Sequence, residues 1–330
     1  MKDYQKLINL LYKRETCNTI AGRLGISNKQ LYNKILVLSN KGFNLSKKYF
    51  SNGQIVYKVS EVYDDSLQLS SSTNTIYSLQ EERDIKMLLI SDLHFGNELE
   101  RIDLVDRAFE YCVKNGIHII LCTGDMIDCL PSKSKKQYST IDAQISHFIK
   151  RYPHDKNILT FAVAGNHDYF AYLKEAKSLI KVVNNYRHDV IIGDFANSTV
   201  EIKNEKIDLY HHIDSIPKRE TNSILTLHGH AHKYVAGMKK NGGLDIVVPA
   251  LSDLCKTLPT ALEMNLTFKS GKIEKLDLKQ ISFDNSDIIL NETNYDLSFL
   301  HGNIKKENRT NVITKENTFE RIKVYGLKRN

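Results

Sequence analysis

Apolar positions along the chain change period near residue 44, and again near residue 85. At the start, Tyr4, Leu7, Ile8 and Leu11 fall at helical spacing. A second short helix places Ile20, Ala21 and Leu24 on one face and stops at Gly25. Ser27 is placed to cap a third helix with Leu31, Ile35 and Leu38 inward, and Gly42 follows its end. Two strand-forming runs then flank Ser51-Asn52-Gly53, from Leu45 to Phe50 and from Gln54 to Val59. Asn-Gly between such runs predicts a hairpin. From Ile85-Lys86-Met87-Leu88-Leu89-Ile90 onward the pattern alternates buried strands with amphipathic helices. Strands are predicted over Ile117 to Cys122, Ile158 to Ala164, Val190 to Ile192, Ser198 to Ile202, Ile207 to Tyr210, Ile224 to His228 and Leu244 to Val248. A helix carries Val105, Phe109, Tyr111 and Cys112. Such alternation predicts a layered α/β domain.

Four segments follow from this pattern: residues 1–60, a polar linker over 61–84, an α/β domain over 85–283, and a polar extension over 284–330 with some strand content. Three helices and a hairpin make the plan of a winged helix-turn-helix, and Ile20-Ala21-Gly22-Arg23-Leu24-Gly25-Ile26-Ser27 resembles that family. Charge sharpens the division. Residues 1–60 hold 11 Lys and Arg against 2 Asp and Glu, whereas the remainder holds 35 against 37. A basic segment on a near-neutral body predicts a polyanionic partner for that segment. Duplex DNA is the expected partner, read by Asn28, Lys29, Gln30, Asn33 and Lys34 at the start of the third helix. Lys47 and Lys48 on the hairpin would touch phosphate. Protein docking and dimerisation are the competing uses of such a module.

Five short motifs each follow a predicted strand: Asp92-Leu93-His94, Gly124-Asp125-Met126-Ile127-Asp128, Gly165-Asn166-His167-Asp168, His211-His212 and Gly229-His230-Ala231-His232. Open α/β sheets place their sites at the carboxyl ends of strands. Oxygen and imidazole donors suit Mn, Fe, Zn or Co rather than Ca. No cysteine lies within a motif, which argues against a thiolate zinc site. A glycine ahead of Asp125, Asn166 and His230 would let the chain turn tightly. The remaining histidines, His118, His147, His154, His188, His228 and His301, read as packing or surface residues.

The five motifs, in order across residues 85–250, resemble the signature of the calcineurin-like metallophosphoesterase superfamily. That resemblance implies two β-sheets flanked by helices, preceded here by the small winged-helix unit. It implies two divalent transition-metal ions, with Mn foremost and Fe, Zn, Co or Ni as the others. Asp92, His94 and His232 would bind one ion. Asn166, His211 and His230 would bind the second, with Asp125 between the two. His211 is preferred over His212 because relatives place the ligand first in such a pair. His167 would face the phosphate and serve the leaving oxygen, oriented by Asp168, with Asp128 as a further support.

The expected function is hydrolysis of phosphate esters, with phosphodiesters and nucleic acid as the substrate class and the winged helix as the targeting unit. Two alternatives stand beside it: a phosphomonoesterase or cyclic-nucleotide phosphodiesterase with a structural winged helix, and a DNA-binding regulator. Turnover of a small ester would not need residues 1–60, where no expected ligand lies. No apolar run is long enough to span a membrane, and no secretory leader pattern opens the chain. The five cysteines, Cys17, Cys112, Cys122, Cys129 and Cys255, are scattered and odd in number, which fits reduced thiols in the cytoplasm.

Overall fold

The computed structural model describes residues 2–60, 73–79, 82–129, 138, 140–176, 178–219, 221–239, 243–254, 257–284 and 287–298. Residues 61–72 of the expected linker, residues 299–330 of the expected extension, Cys255 and His301 lie outside the described residues.

The chain opens with α1 (Lys2–Tyr12), α2 (Cys17–Leu24) and α3 (Asn28–Asn40), then β1 (Asn44–Phe50) and β2 (Ile55–Ser60). Caps explain the helix boundaries. The Thr16 hydroxyl accepts from the Thr19 amide, and Gly25 closes α2 in the left-handed conformation. Ser27 and Gln30 cap each other's backbone at the start of α3, which satisfies two otherwise unpaired amides. Leu7, Leu11, Ile20, Leu31, Ile35 and Leu38 are buried, as the spacing predicts. Lys48 pairs with Val56 and Tyr49 with Ile55 across the hairpin.

The body begins with β3 (Thr73–Tyr77) and β4 (Asp84–Ile90), followed by α4 (Ile102–Asn115), β5 (Ile119–Cys122), α5 (Ile141–Arg151) and β6 (Leu159–Ala164). Next come α6 (Asn166–Glu175), α7 (Leu179–Tyr186), β7 (Val190–Phe195), β8 (Asn197–Ile202), β9 (Glu205–Tyr210) and β10 (Leu225–His228). The described chain ends with β11 (Val235–Met238), β12 (Leu244–Val247), β13 (Ala261–Lys269), β14 (Lys272–Ser282) and β15 (Ile288–Asp296).

Two sheets result. One runs β15-β14-β13-β4-β5-β6-β7, and the other β11-β12-β10-β9-β8-β3-β1-β2. The apolar run of β4 divides between two cores. Ile85, Met87 and Leu89 enter the core between the sheets. Leu88 and Ile90 enter a second core with Leu104, Val105 and Phe109 of α4, Ile145 and Phe148 of α5, and Val183 of α7. From Met87 to Ile90 the strand is covered on both faces and apolar at every position, whereas its first half alternates with the exposed Asp84 and Lys86.

The N-terminal helices and hairpin are not set apart from this sandwich. β1 pairs in parallel with β3 at Tyr49↔Ile76 and Phe50↔Tyr77, and β3 pairs in turn with β8. Residues 73–77, inside the stretch expected as linker, therefore form the strand that joins hairpin to body. The helix residues Leu7, Leu11, Leu31 and Ile35 belong to the same continuous core as Leu209 and Leu262. β15 likewise falls in the stretch expected as an extension, and it adds an edge strand to β14. Among the described residues, no helix is long and apolar enough to cross a membrane.

Candidate metal centre

β4, β5 and β6 are parallel neighbours in one sheet, and β9 and β10 are parallel neighbours in the other. Their carboxyl ends therefore open on one edge of the sandwich, and each leads directly into one of the five motifs. Backbone hydrogen bonds knit the loops together. The Asp92 amide donates to the Gly124 carbonyl at 3.0 Å, the His94 amide to the Asp125 carbonyl at 3.0 Å, and the Gly229 amide to the Tyr210 carbonyl at 3.0 Å.

The local backbone is strained where the chemistry sits. Asp92 (φ 52°), His94 (φ 49°), Asp125 (φ 52°), His230 (φ 73°) and His232 (φ 54°) are all left-handed. Residues with a Cβ adopt that region seldom, and such outliers gather at functional sites. The glycines serve closeness more than turning. Only Gly124 among the three has a positive φ, of 107°. A Cβ at Gly165 would lie 2.1 Å from Asp125 Oδ1, and one at Gly229 would lie 2.3 Å from the Thr123 carbonyl oxygen. Two chains pass there at a distance that only glycine permits.

The side chains converge in two overlapping groups. Asp92 Oδ1 lies 3.2 Å from His232 Nε2 and 3.9 Å from His94 Nε2. Asn166 Oδ1 lies 2.9 Å from both His211 Nε2 and His230 Nδ1. Asp125 Oδ2 lies between the groups, 3.9 Å from His94 Nε2 and 3.2 Å from His211 Nε2. His211 is fully buried, and its Nδ1 donates to the Thr123 carbonyl at 2.6 Å. That bond fixes the ring and directs Nε2 at the cluster. His212 is exposed and pairs with Asp214 at 2.9 Å.

These groups suit cations. Asp92 Oδ1, both ring nitrogens of His94 and Nδ1 of His232 are buried with no hydrogen-bond partner. Each unsatisfied buried polar atom costs about 1–3 kcal/mol, and an ion held by Asp92 Oδ1 and His94 Nε2 would remove that cost for those two atoms. The electrostatics agree. Burial opposes the charged form of His211, yet the adjacent Asp125 carboxylate outweighs it and raises the imidazole to about 9. Burial likewise opposes ionisation of Asp125, but the His211, His167 and His94 rings hold it well below the usual carboxylate range. The site is an anionic cluster in want of positive charge. Asp92, His94 and His232 could hold one ion, and Asp125, His211 and His230 a second; the donor atoms within each set lie within 4.8 Å of one another.

His94, Asp128 and His167 form a third such set. Here the structure reassigns a role. The carboxylate beside His167 is that of Asp128, whose Oδ1 lies 3.0 Å from His167 Nδ1. Asp168 is fully buried and accepts from the Gly165, Met126 and Ile127 amides instead. It shapes the loop that carries Asp125 rather than the ring of His167. Desolvation lowers His167, but the Asp128 contact overcomes it and the net shift is upward. Sequence motifs also missed Ser91, which donates to Asp92 Oδ2 at 2.5 Å, Ser252, which donates to the Asp92 carbonyl, and Asn97, which donates to Asp128 Oδ2. Ser91 adjoins a motif and was within reach of the sequence, whereas Asn97 and Ser252 carry no local signal.

The residues expected at a DNA interface lie elsewhere. Lys29, Gln30 and Asn33 are exposed on α3. Asn28 donates to Asn18 Oδ1, and Asn18 in turn donates to Asn157 Oδ1 of the body. Lys34 lies 5.2 Å from the Tyr4 ring centre, Lys47 5.9 Å from that of Tyr57 and Lys48 4.7 Å from that of Tyr77.

A model of the calcineurin-like phosphoesterase family matches residues 85–255, just over half of the chain. The chain belongs to the calcineurin-like phosphoesterase family. It is a metal-dependent phosphoester hydrolase with the two-sheet architecture of that family. No curated protein matches it. Among solved structures it is similar to the phosphoesterase Yfce from E. coli, with 15% identity, 63% of this chain and 98% of that chain covered, and a TM-score of 0.39. It is similar to nuclease MPE from Pseudomonas putida, with 15% identity, coverage of 58% and 84%, and a TM-score of 0.31. A dimetal phosphatase from Danio rerio aligns at 10% identity, with coverage of 62% and 98% and a TM-score of 0.35.

Proposed function

We propose that the protein is a phosphodiesterase acting at a two-ion centre. Asp92, His94 and His232 would hold one ion and Asn166, His211 and His230 the other, with Asp125 placed between the two sets. The observation that carries this reading is the position of Asp125 Oδ2 between His94 and His211. A pair of ions at such a centre supplies a deprotonated water near neutral pH and offsets charge on the phosphoryl oxygens. Mn is the first choice that the family resemblance suggests, and the mixed oxygen and imidazole donor set equally suits Fe, Zn, Co or Ni. His167, held by Asp128, donates a proton from its imidazolium to the departing alkoxide. The four described cysteines, all buried and free, support a cytoplasmic location.

Nucleic acid is the diester we favour, and the basic N-terminal unit supports it. Lys29 and Asn33 are exposed on α3 and open to duplex DNA, whereas Gln30 caps the Ser27 amide and Asn28 donates to Asn18 of α2. Binding of duplex DNA by the full chain should fall steeply as salt rises; a curve indifferent to salt would remove this part of the reading.

The deciding experiment combines metal analysis with a substrate panel. Active protein should carry about two transition-metal ions per chain. Asp125→Ala should lose both ions and at least about three orders of magnitude in rate, since several kcal/mol of transition-state stabilisation depend on them. Bis-p-nitrophenyl phosphate should be cleaved faster than p-nitrophenyl phosphate. A preference for the monoester would replace the diesterase reading, and an active preparation without metal would end the two-ion one.

A further inference from the structure

α6 starts at the metal centre with Asn166 and His167, and its next exposed flank is aromatic. Tyr169 and Tyr172 follow Asn166 in steps of three, which keeps them adjacent along one side of the helix. Their ring centres are 6.3 Å apart and nearly parallel, at 28°. Phe195, at the end of β7, meets Tyr169 at 5.1 Å and Tyr172 at 5.6 Å. Its neighbour Ala196 donates its amide to the Ala164 carbonyl and accepts from the His211 amide at 2.9 Å. Phe195 is thereby fixed beside two of the motif-bearing strand ends. Tyr172 leaves 44% of its surface open, while Tyr169 and Phe195 are half-buried.

Positive charge borders the same place. Asn197, two residues after Phe195, donates through Nδ2 to the Pro217 carbonyl at 3.1 Å and accepts from the Arg219 amide at 2.8 Å. These bonds hold Arg219, which is exposed, and Lys218, whose ammonium rests 3.1 Å from His228 Nε2 and 3.9 Å from Asp245 Oδ1, near the end of β7. An open aromatic face, a phosphate-handling centre and two cations on one pinned loop match the parts of a nucleotide. Rings stack on any base, and cations follow the backbone phosphates.

We propose that Tyr169, Tyr172 and Phe195 form a nucleobase-stacking subsite beside the metal centre, with Lys218 and Arg219 taking the next phosphate of a strand. The inference rests on the phosphodiesterase reading and names its substrate as a nucleoside-bearing diester.

The test compares kcat/KM of the metal-loaded full chain for thymidine 5′-(p-nitrophenyl phosphate) and methyl p-nitrophenyl phosphate, which share a leaving group. Stacking of one base is worth roughly 5- to 150-fold. Wild type should prefer the thymidine ester by at least about fivefold. Tyr172→Leu should erase that preference, and Tyr172→Phe should retain it. Equal use of the two esters by wild type, or an unchanged ratio in Tyr172→Leu, overturns the subsite. If neither diester is turned over, the phosphodiesterase reading fails, and calorimetric binding then decides the subsite alone. Thymidine 5′-monophosphate should bind the metal-loaded protein at least about fivefold tighter than ribose 5-phosphate in wild type but not in Tyr172→Leu; equal affinities overturn the proposal. For a labelled oligothymidylate, Lys218→Ala combined with Arg219→Ala should weaken binding and flatten its salt dependence. Unaltered strand binding would remove the two cations from the subsite.

Discussion

The metal-bearing edge and the N-terminal helical unit are built on opposite principles. At the edge, five polar residues have left-handed backbone, four of them buried and His230 exposed, and several of their donor atoms have no hydrogen-bond partner within the protein. In the N-terminal unit the helices start at hydroxyl caps, end at a left-handed glycine in α2, and bury leucine and isoleucine at regular spacing. The first region draws on the rest of the fold to hold it in shape. The second is locally consistent at every level. Local consistency nonetheless does not make it independent, because β1 hydrogen-bonds to β3 and the apolar residues of the unit's helices belong to the core between the sheets.

Deleting residues 1–60 breaks the comparison most severely. The sheet would lose β1 and β2, and the apolar residues facing them would be exposed. We expect the remaining chain to aggregate or to melt far below the intact protein, measured by calorimetry and size exclusion. A shortened chain with unchanged melting temperature and ester turnover would show that the unit is an appendage after all.

His167→Ala tests the strained edge without dismantling it. Loss of a positioned general acid costs about two to four orders of magnitude in rate. Metal content should stay at the wild-type value, and the loss should be larger for poor leaving groups than for nitrophenolate. If the metals depart with the activity, His167 is a ligand. Asp128→Asn should reproduce part of the same pattern, since Asp128 is the carboxylate beside His167.

The seam between the two regions has its own titrating group. His188 stacks on Tyr32 of α3 at 4.1 Å and accepts through Nδ1 from the Tyr57 hydroxyl at 2.8 Å. Burial first, and then the nearby Lys47 charge, lower it to about 3, against the weaker pull of Asp189. Above pH of about 6.5 the ring is neutral in both folded and unfolded chains and contributes no pH dependence. As pH falls from there towards 3, the unfolded chain gains the proton and the folded one does not, so stability drops by up to about 1.4 kcal/mol per pH unit. Denaturant titrations over this range should show a steeper fall for wild type than for His188→Gln. Parallel curves would mean that the ring is solvated when folded.

The smallest expected effect is purely local. Ser27→Ala removes the hydroxyl that accepts from the Gln30 amide, and should cost about 0.5–2 kcal/mol. Catalysis of a small ester should not change. A loss of activity at a temperature where the protein is folded would show that α3 communicates with the metal edge.

What the sequence determined by itself follows from the range of each signal. Ser27 and Gly25 act on backbone groups within a few residues, so those helix ends were legible, whereas the reciprocal cap by Gln30 was not read. The five motifs were legible because strand and motif are contiguous in the chain, and the two sheets bring those strand ends to one edge. Other features depend on pairings of residues far apart. The partner of His167 is Asp128 because two loops from β5 and β6 meet side by side, whereas the family resemblance had favoured Asp168. Gly165 and Gly229 are required by chains that pass within contact distance, not by their own turns. Residues 73–77 became a strand because β1 and β8 offered hydrogen-bonding edges on either side. A strand needs a neighbour to satisfy its backbone, and only the assembled sheets supply one; that is why the boundary at residue 60, visible as a break in charge and period, is not a boundary of the fold.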